Sequence, residues 1–173
     1  MMGGDKLALG AVAALVLVGA RSEREGGINV SEDRPQPGII TAYHGTNIKF
    51  SRFERQSFGS TTDAGTEGEG FYFNTDRDSA VSHAQWVAWK HGGDPVVMEV
   101  EVLIRNPKYL NRENAPRHLE NDKRAARSFS RSLQKKGHDG VIKQIRGGGK
   151  SYVLVAYDPD QIRILDTQSV EPW

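Results

Sequence analysis

The sequence predicts an α+β domain in which short strands outnumber helices. Three observations carry that expectation. Residues 96–104, V-V-M-E-V-E-V-L-I, set Val96, Met98, Val100, Val102 and Ile104 on one face and Val97, Glu99, Glu101 and Leu103 on the other, the period of a half-buried strand. Nineteen glycines among 173 residues favour a loop-rich chain over a bundle of long helices. No Gly-x-Gly-x-x-Gly follows a strand and opens a helix, so a doubly wound dinucleotide fold is not supported.

Composition bounds the function classes. The length favours one domain plus an appendage. Lys and Arg number 23 against 22 Asp and Glu, for a net charge of +1, so no global polyelectrolyte partner is implied. The chain has no cysteine, which excludes disulfides, thiolate zinc sites and a cysteine nucleophile. No metal centre is expected.

The appendage is N-terminal. From Leu7 to Ala20 the chain reads L-A-L-G-A-V-A-A-L-V-L-V-G-A, without a charge, between Lys6 and a charged run at 21–25. It is short of the ~20 residues that span a bilayer. It fits a signal-peptide core with a small-residue cleavage site at Val18-Gly19-Ala20, or a membrane-inserting helix. An Ala/Leu-rich helix buried against a partner chain is the competing reading. Residues 21–37 are polar, with Gly26-Gly27, Pro35 and Pro37, and read as a flexible linker. The folded domain is expected over 38–166, with a tail at 167–173.

Within the domain, 39–43 is a short apolar strand ending at His44-Gly45-Thr46. Phe50, Phe53 and Phe58 punctuate a helical turn and a loop. Residues 57–69, S-F-G-S-T-T-D-A-G-T-E-G-E, lack periodicity and read as a long loop. Phe71, Tyr72 and Phe73 form a glycine-flanked aromatic strand that runs into a helix over 78–91, with Asp76 or Asp78 as N-cap and Gly92-Gly93 as the stop. Val81, Ala84 and Ala88 are spaced to pack, and Trp86 and Trp89 read as packing residues. After the strand at 96–104, Asn106-Pro107 breaks the chain. Residues 116–136 predict a helix with Leu119, Ala126, Phe129 and Leu133 on one stripe. Its other face carries Arg117, Lys123, Arg124, Arg127, Arg131, Lys135 and Lys136, either a solvated surface or one that steers a phosphorylated or nucleic-acid target. Strands follow at 141–145, 152–157 and 161–165, the second apolar throughout, as a strand covered on both faces should be.

Three stretches carry a resemblance. They are A-Y-H-G-T at 42–46, G-E-G-F-Y-F-N-T-D-R-D-S-A at 68–80, and V-L-V-A-Y-D-P-D-Q-I at 153–162. In this order they resemble the NAD-binding core of ADP-ribosyltransferases of the histidine–tyrosine–glutamate type, the poly(ADP-ribose) polymerase and diphtheria-toxin side of that fold. The composite looks closest to the small transferase domains of phage and mobile-element polyvalent proteins. The resemblance implies a split β-sheet whose cleft holds NAD bent, and it covers roughly 38–166. It implies that Tyr72 stacks on the nicotinamide, that Gly45 and Ser79 hold the carboxamide, and that His44 bonds a ribose hydroxyl, with Thr46 beside it. His83 is a candidate second stacking residue one helical turn on. The loop at 57–69 would cover the dinucleotide as a mobile lid, beside the plain reading of a solvated loop.

The chain departs from that family at one point. The glutamate that usually opens the late strand falls at Val153, and no carboxylate lies between Asp139 and Asp158. Gln144, Glu67 or Glu69 would have to fill the role, or a target side chain, or the site binds NAD without turnover. Glu99 and Glu101 look like the Glu-x-Glu of arginine-specific transferases but sit mid-strand, far from where that motif belongs. The implied function is mono-ADP-ribosylation of an unidentified protein or nucleic-acid target by a secreted, membrane-associated or virion-borne effector. The alternative is a catalytically silent domain of the same fold, NAD-binding or structural, packed against virion partner chains. RNA 2′-phosphotransferases also end a strand in His-Gly-Thr, but their second strand carries His and Arg where this chain has Gly-Phe-Tyr-Phe.

Overall fold

The computed structural model describes residues 34–57, 65–111, 113–116, 119–145 and 150–173. The apolar segment from Leu7 to Ala20, most of the linker, Phe58 and the middle of the 57–69 loop lie outside the described residues. So does the glycine run at 147–149. Among the described residues no helix is long and apolar enough to cross a membrane.

Among the described residues, seven strands and two α-helices follow one another as β1 (Gly38–Thr46), β2 (Phe71–Asn74), α1 (Arg77–His91), β3 (Val96–Ile104), β4 (Pro107–Leu110), α2 (Lys123–Lys135), β5 (Gly140–Gln144), β6 (Tyr152–Ala156) and β7 (Ile162–Ser169). The strands form one sheet in the order β4-β5-β6-β2-β1-β3-β7. Within this sheet β4 and β5 run parallel, and the other neighbouring pairs are antiparallel. The α+β class expected from the sequence is the class observed.

The alternation along β3 sets the core. Met98, Val100, Val102 and Ile104 are fully buried and join Phe71 and Phe73 of β2, Ile142 of β5 and Leu154 of β6 in one cluster. These strands lie on both sides of the sheet's centre, so the sheet folds over and encloses the cluster. Each aliphatic side chain so buried contributes about 1.5–3 kcal/mol. On the opposite face the two helices cover different halves. Ala80, Ala84 and Val87 of α1 are buried, and the first two pack with Val97 of β3. Leu133 of α2 packs with Val141, Val155, Leu110 and Tyr157.

Several details differ from expectation. The buried stripe of α1 lies on Ala80, Ala84 and Val87, and Trp89 is 74 % exposed, so Trp89 is not a core residue of this domain. A strand, β4, follows the Asn106-Pro107 break directly. Proline is tolerated there because it is the first residue of an edge strand and need donate nothing. The second helix begins at Lys123, behind an Asp122 cap that accepts from the amides of Arg124 and Ala125. Leu119 sits in a separate short turn before it. β3 is an interior strand flanked by β1 and β7, and Glu101 pairs with Arg163 of β7. β7 runs on past 166, with Thr167, Gln168 and Ser169 paired to Met98, Val97 and Val96.

The Asp-x-x-Gln turn after β6 has a structural explanation. The Gln161 carbonyl oxygen accepts from the amides of Tyr157 (3.0 Å) and Asp158 (2.8 Å). Its Nε2 donates to the carbonyls of Leu103 (2.8 Å) and Asp139 (3.0 Å). One side chain thus joins the ends of β3, β5 and β6. Gln161→Ala would orphan four partly buried backbone groups and is expected to cost roughly 2–3 kcal/mol in a urea titration. A loss below about 0.5 kcal/mol would show that water replaces the side chain.

Candidate active site

The two motifs that stand out in the sequence face each other where the sheet comes apart. The ladder between β1 and β2 contains one register pair, Tyr43 with Asn74. Continued, that antiparallel register would set His44 opposite Phe73, Gly45 opposite Tyr72 and Thr46 opposite Phe71. The strands diverge instead, while each stays fully paired on its other side, β1 with β3 and β2 with β6. The split falls at His-Gly-Thr on one side and Phe-Tyr-Phe on the other.

His44 bridges the gap. Its Nδ1 lies 2.8 Å from the Tyr72 carbonyl oxygen. A carbonyl only accepts, so Nδ1 carries the proton and Nε2 is left as an acceptor, with no partner among the described residues. The imidazole is half-buried in an aromatic box of Phe50, Phe53 and Phe73, at centroid separations of 6.0, 5.2 and 5.7 Å. Burial is the main reason its pKa falls from 6.5 to about 4; the bond to Tyr72 opposes the shift, and repulsion from His83 adds to it. His44 is therefore neutral at physiological pH, held in one tautomer.

Gly45 has a packing reason to be glycine. A Cβ there would stand 2.1 Å from the Ala80 carbonyl oxygen and 2.8 Å from the Ala84 amide nitrogen, both backbone atoms of α1. The helix thus presses its first turns against the strand end. Thr46 is buried, and its hydroxyl accepts from the Ile48 amide at 3.5 Å. Ser79 belongs to the helix cap: its amide (2.8 Å) and hydroxyl (2.6 Å) both donate to Asp76. These two bonds hold the Asp76 carboxyl below the usual range. The Ser79 oxygen keeps its lone pairs for an incoming donor. His83 is exposed on α1, its ring 5.8 Å from that of Trp86.

Tyr72 points away from Phe71 and Phe73, as strand alternation requires. Its half-buried ring packs against the cluster beneath α2. Its hydroxyl accepts from the Glu67 amide (3.0 Å) and donates to the Gly68 carbonyl (2.5 Å). This ties down the end of the loop expected to be a lid. Glu69 takes a two-pronged bond from Arg127 of α2, at 2.9–3.2 Å, and its carbonyl accepts from Ser130 at 2.9 Å. Gly68 sits at φ 103°, where a Cβ would stand 2.4 Å from the Ser130 hydroxyl. Residues 65–69 are therefore a strap fixed to β2 and α2; the rest of the loop, 58–64, lies outside the described residues.

Three further residues take part in the site. Phe50 and Phe53, read only as markers of a turn, wall the histidine. Lys143 of β5 pairs with the Glu67 carboxylate. Nothing local marks that lysine, because its place beside the strap depends on which strands pair. Gln144 is exposed at the end of β5, in register with Tyr152.

A sheet of this topology, split between a His-Gly-Thr strand end and an aromatic strand, defines an ADP-ribosyltransferase-like domain. The family model for ADP-ribosyltransferases in polyvalent proteins matches residues 37–171, and the chain belongs to that family. Among solved structures, the MbcT–MbcA toxin–antitoxin complex of M. tuberculosis is similar in fold. It is 14 % identical, with 78 % of this chain and 85 % of that chain covered at a TM-score of 0.50. No curated protein matches.

Proposed function

We propose that this domain transfers a single ADP-ribose from NAD to an acceptor on another molecule. The observation that carries the proposal is the His44 bridge across the split. It leaves a neutral imidazole with Nε2 as acceptor, the form that takes a hydrogen bond from a ribose hydroxyl. The other groups suit the same ligand. Nicotinamide in NAD is a cationic ring bearing a carboxamide. A tyrosine face attracts it by stacking and cation–π interaction, worth about 1–2 kcal/mol when desolvated. The Gly45 backbone and the Ser79 oxygen offer the donor and acceptors that a carboxamide needs. Transfer stops at one unit in this reading, because Val153 stands where polymer-forming relatives place the glutamate that activates the next hydroxyl. A role as a secreted, membrane-associated or virion-borne effector rests on the polyvalent-protein family and the apolar segment at residues 7–20.

The same valine favours one alternative, a domain that binds NAD without turning it over. Purified protein is incubated with adenylate-labelled NAD and a cell lysate, beside a His44→Ala/Tyr72→Ala double variant. Label on macromolecules, lost in the variant, is the expected result. Thermal stabilisation by NAD with no label transferred would instead establish a binding module.

A further inference from the structure

The reaction needs a carboxylate, and the strand position that supplies it elsewhere is a valine here. Val153 of β6 stands in register with Asn74 of β2 and with Lys143 of β5. Alternate strand residues share a face, so these three lie on the same side of the sheet as Tyr72, Val155 and Val141. Lys143 reaches from that face to the Glu67 carboxylate, which also receives the Thr66 hydroxyl. The amide of Glu67 is bonded to the hydroxyl of Tyr72. Glu67 is 2 % exposed, although it sits in a loop of Gly, Ser and Thr. A loop glutamate buried to that degree is strongly destabilising unless paired, and Lys143 and Thr66 supply the pairing.

We propose that Glu67 is the catalytic carboxylate of this domain, brought over the strand from the strap and oriented by Lys143. The proposal rests on the ADP-ribosyl-transfer reading given above. In the step, the bond between ribose C1′ and the nicotinamide nitrogen breaks. Its electron pair leaves with nicotinamide, which becomes neutral, and positive charge develops on the ribose. An acceptor oxygen or nitrogen forms the new bond to C1′, and its proton passes to a Glu67 oxygen. Lys143 and Thr66 each occupy one lone-pair direction of the carboxylate, which offers about four, so sites remain for the acceptor proton. Exclusion of water from the strap strengthens the field of the charge on the developing cation.

The test measures nicotinamide release, label transfer and NAD binding by calorimetry in the full chain. The variants are Glu67→Gln, His44→Ala and the apolar pair Glu67→Met/Lys143→Met. The apolar pair is included because replacing a buried ion pair by well-packed apolar residues is often neutral for stability. Glu67→Gln is expected to bind NAD within about threefold of wild type and to lose about 100-fold or more in kcat, the usual scale of general acid–base catalysis. The apolar pair should fold, bind and lose the same factor. If either variant keeps wild-type kcat while His44→Ala is inactive, Glu67 is a structural anchor only and the transferase reading survives. If the loss is entirely in NAD binding, with kcat unchanged, the proposal is also overturned. If the wild type releases no nicotinamide, both readings fall together.

Discussion

Gly45→Ala is expected to destabilise the domain by about 3 kcal/mol or more, and to disturb the site before any ligand is added. The added Cβ would meet the Ala80 carbonyl at 2.1 Å and the Ala84 amide at 2.8 Å. These are backbone atoms in the first turns of α1, so no rotamer change relieves the clash and the helix must move off β1. That helix carries Ser79, and its buried Ala80 and Ala84 pack with Val97. Differential scanning calorimetry with and without NAD separates packing from ligand approach. A lowered Tm without ligand supports packing. An unchanged Tm with NAD stabilisation lost would mean that this glycine serves the ligand alone.

Acid should weaken the protein through His44. Its folded pKa of about 4 lies below the 6.5 of a free histidine. Between these values the unfolded chain binds the proton and the folded chain does not, so stability falls as pH is lowered through this window and is fully present above it. Over the whole window the loss amounts to roughly 3 kcal/mol from this one group. His44→Asn keeps a donor for the Tyr72 carbonyl and removes the titration. Urea titrations at about pH 7.5 and about pH 4.5 should show wild type losing roughly 2–3 kcal/mol more than this variant. Equal losses in the two proteins would mean that the imidazole is not desolvated. The acid limb of NAD turnover should likewise lie near pH 4 and not near 6.5, because a doubly protonated ring has no acceptor at Nε2.

Much of the site was legible because its signals are local. A strand that stops at His-Gly-Thr, an aromatic strand opened by Gly70, and an aspartate immediately before a helix can be read without knowing what lies alongside. The observed cap, Asp76, and the stop at Gly92 follow the expected chemistry. Other features have no local signal. Ser79 looked like a free hydroxyl for a ligand, and its first commitment is to Asp76. Residues 65–69 looked like part of a lid because they lack periodicity, yet Tyr72 holds them from the next strand and Arg127 and Ser130 hold them from a distant part of the chain.

What the sequence by itself determined is the class of fold, the order of most elements and the pair of residues, His44 and Tyr72, that flank the split. Short-range periodicity and capping chemistry are enough for the class and the order, since each depends on residues within one or two turns of the chain; the pair came from the resemblance of the His-Gly-Thr and Gly-Phe-Tyr-Phe stretches to a known family. Only the tertiary structure decided which strands pair and where the ladder opens, and therefore that a lysine of β5 meets a glutamate 76 residues earlier. Contacts of that kind are set by register and by the folding-over of a sheet, and no window of sequence contains both partners.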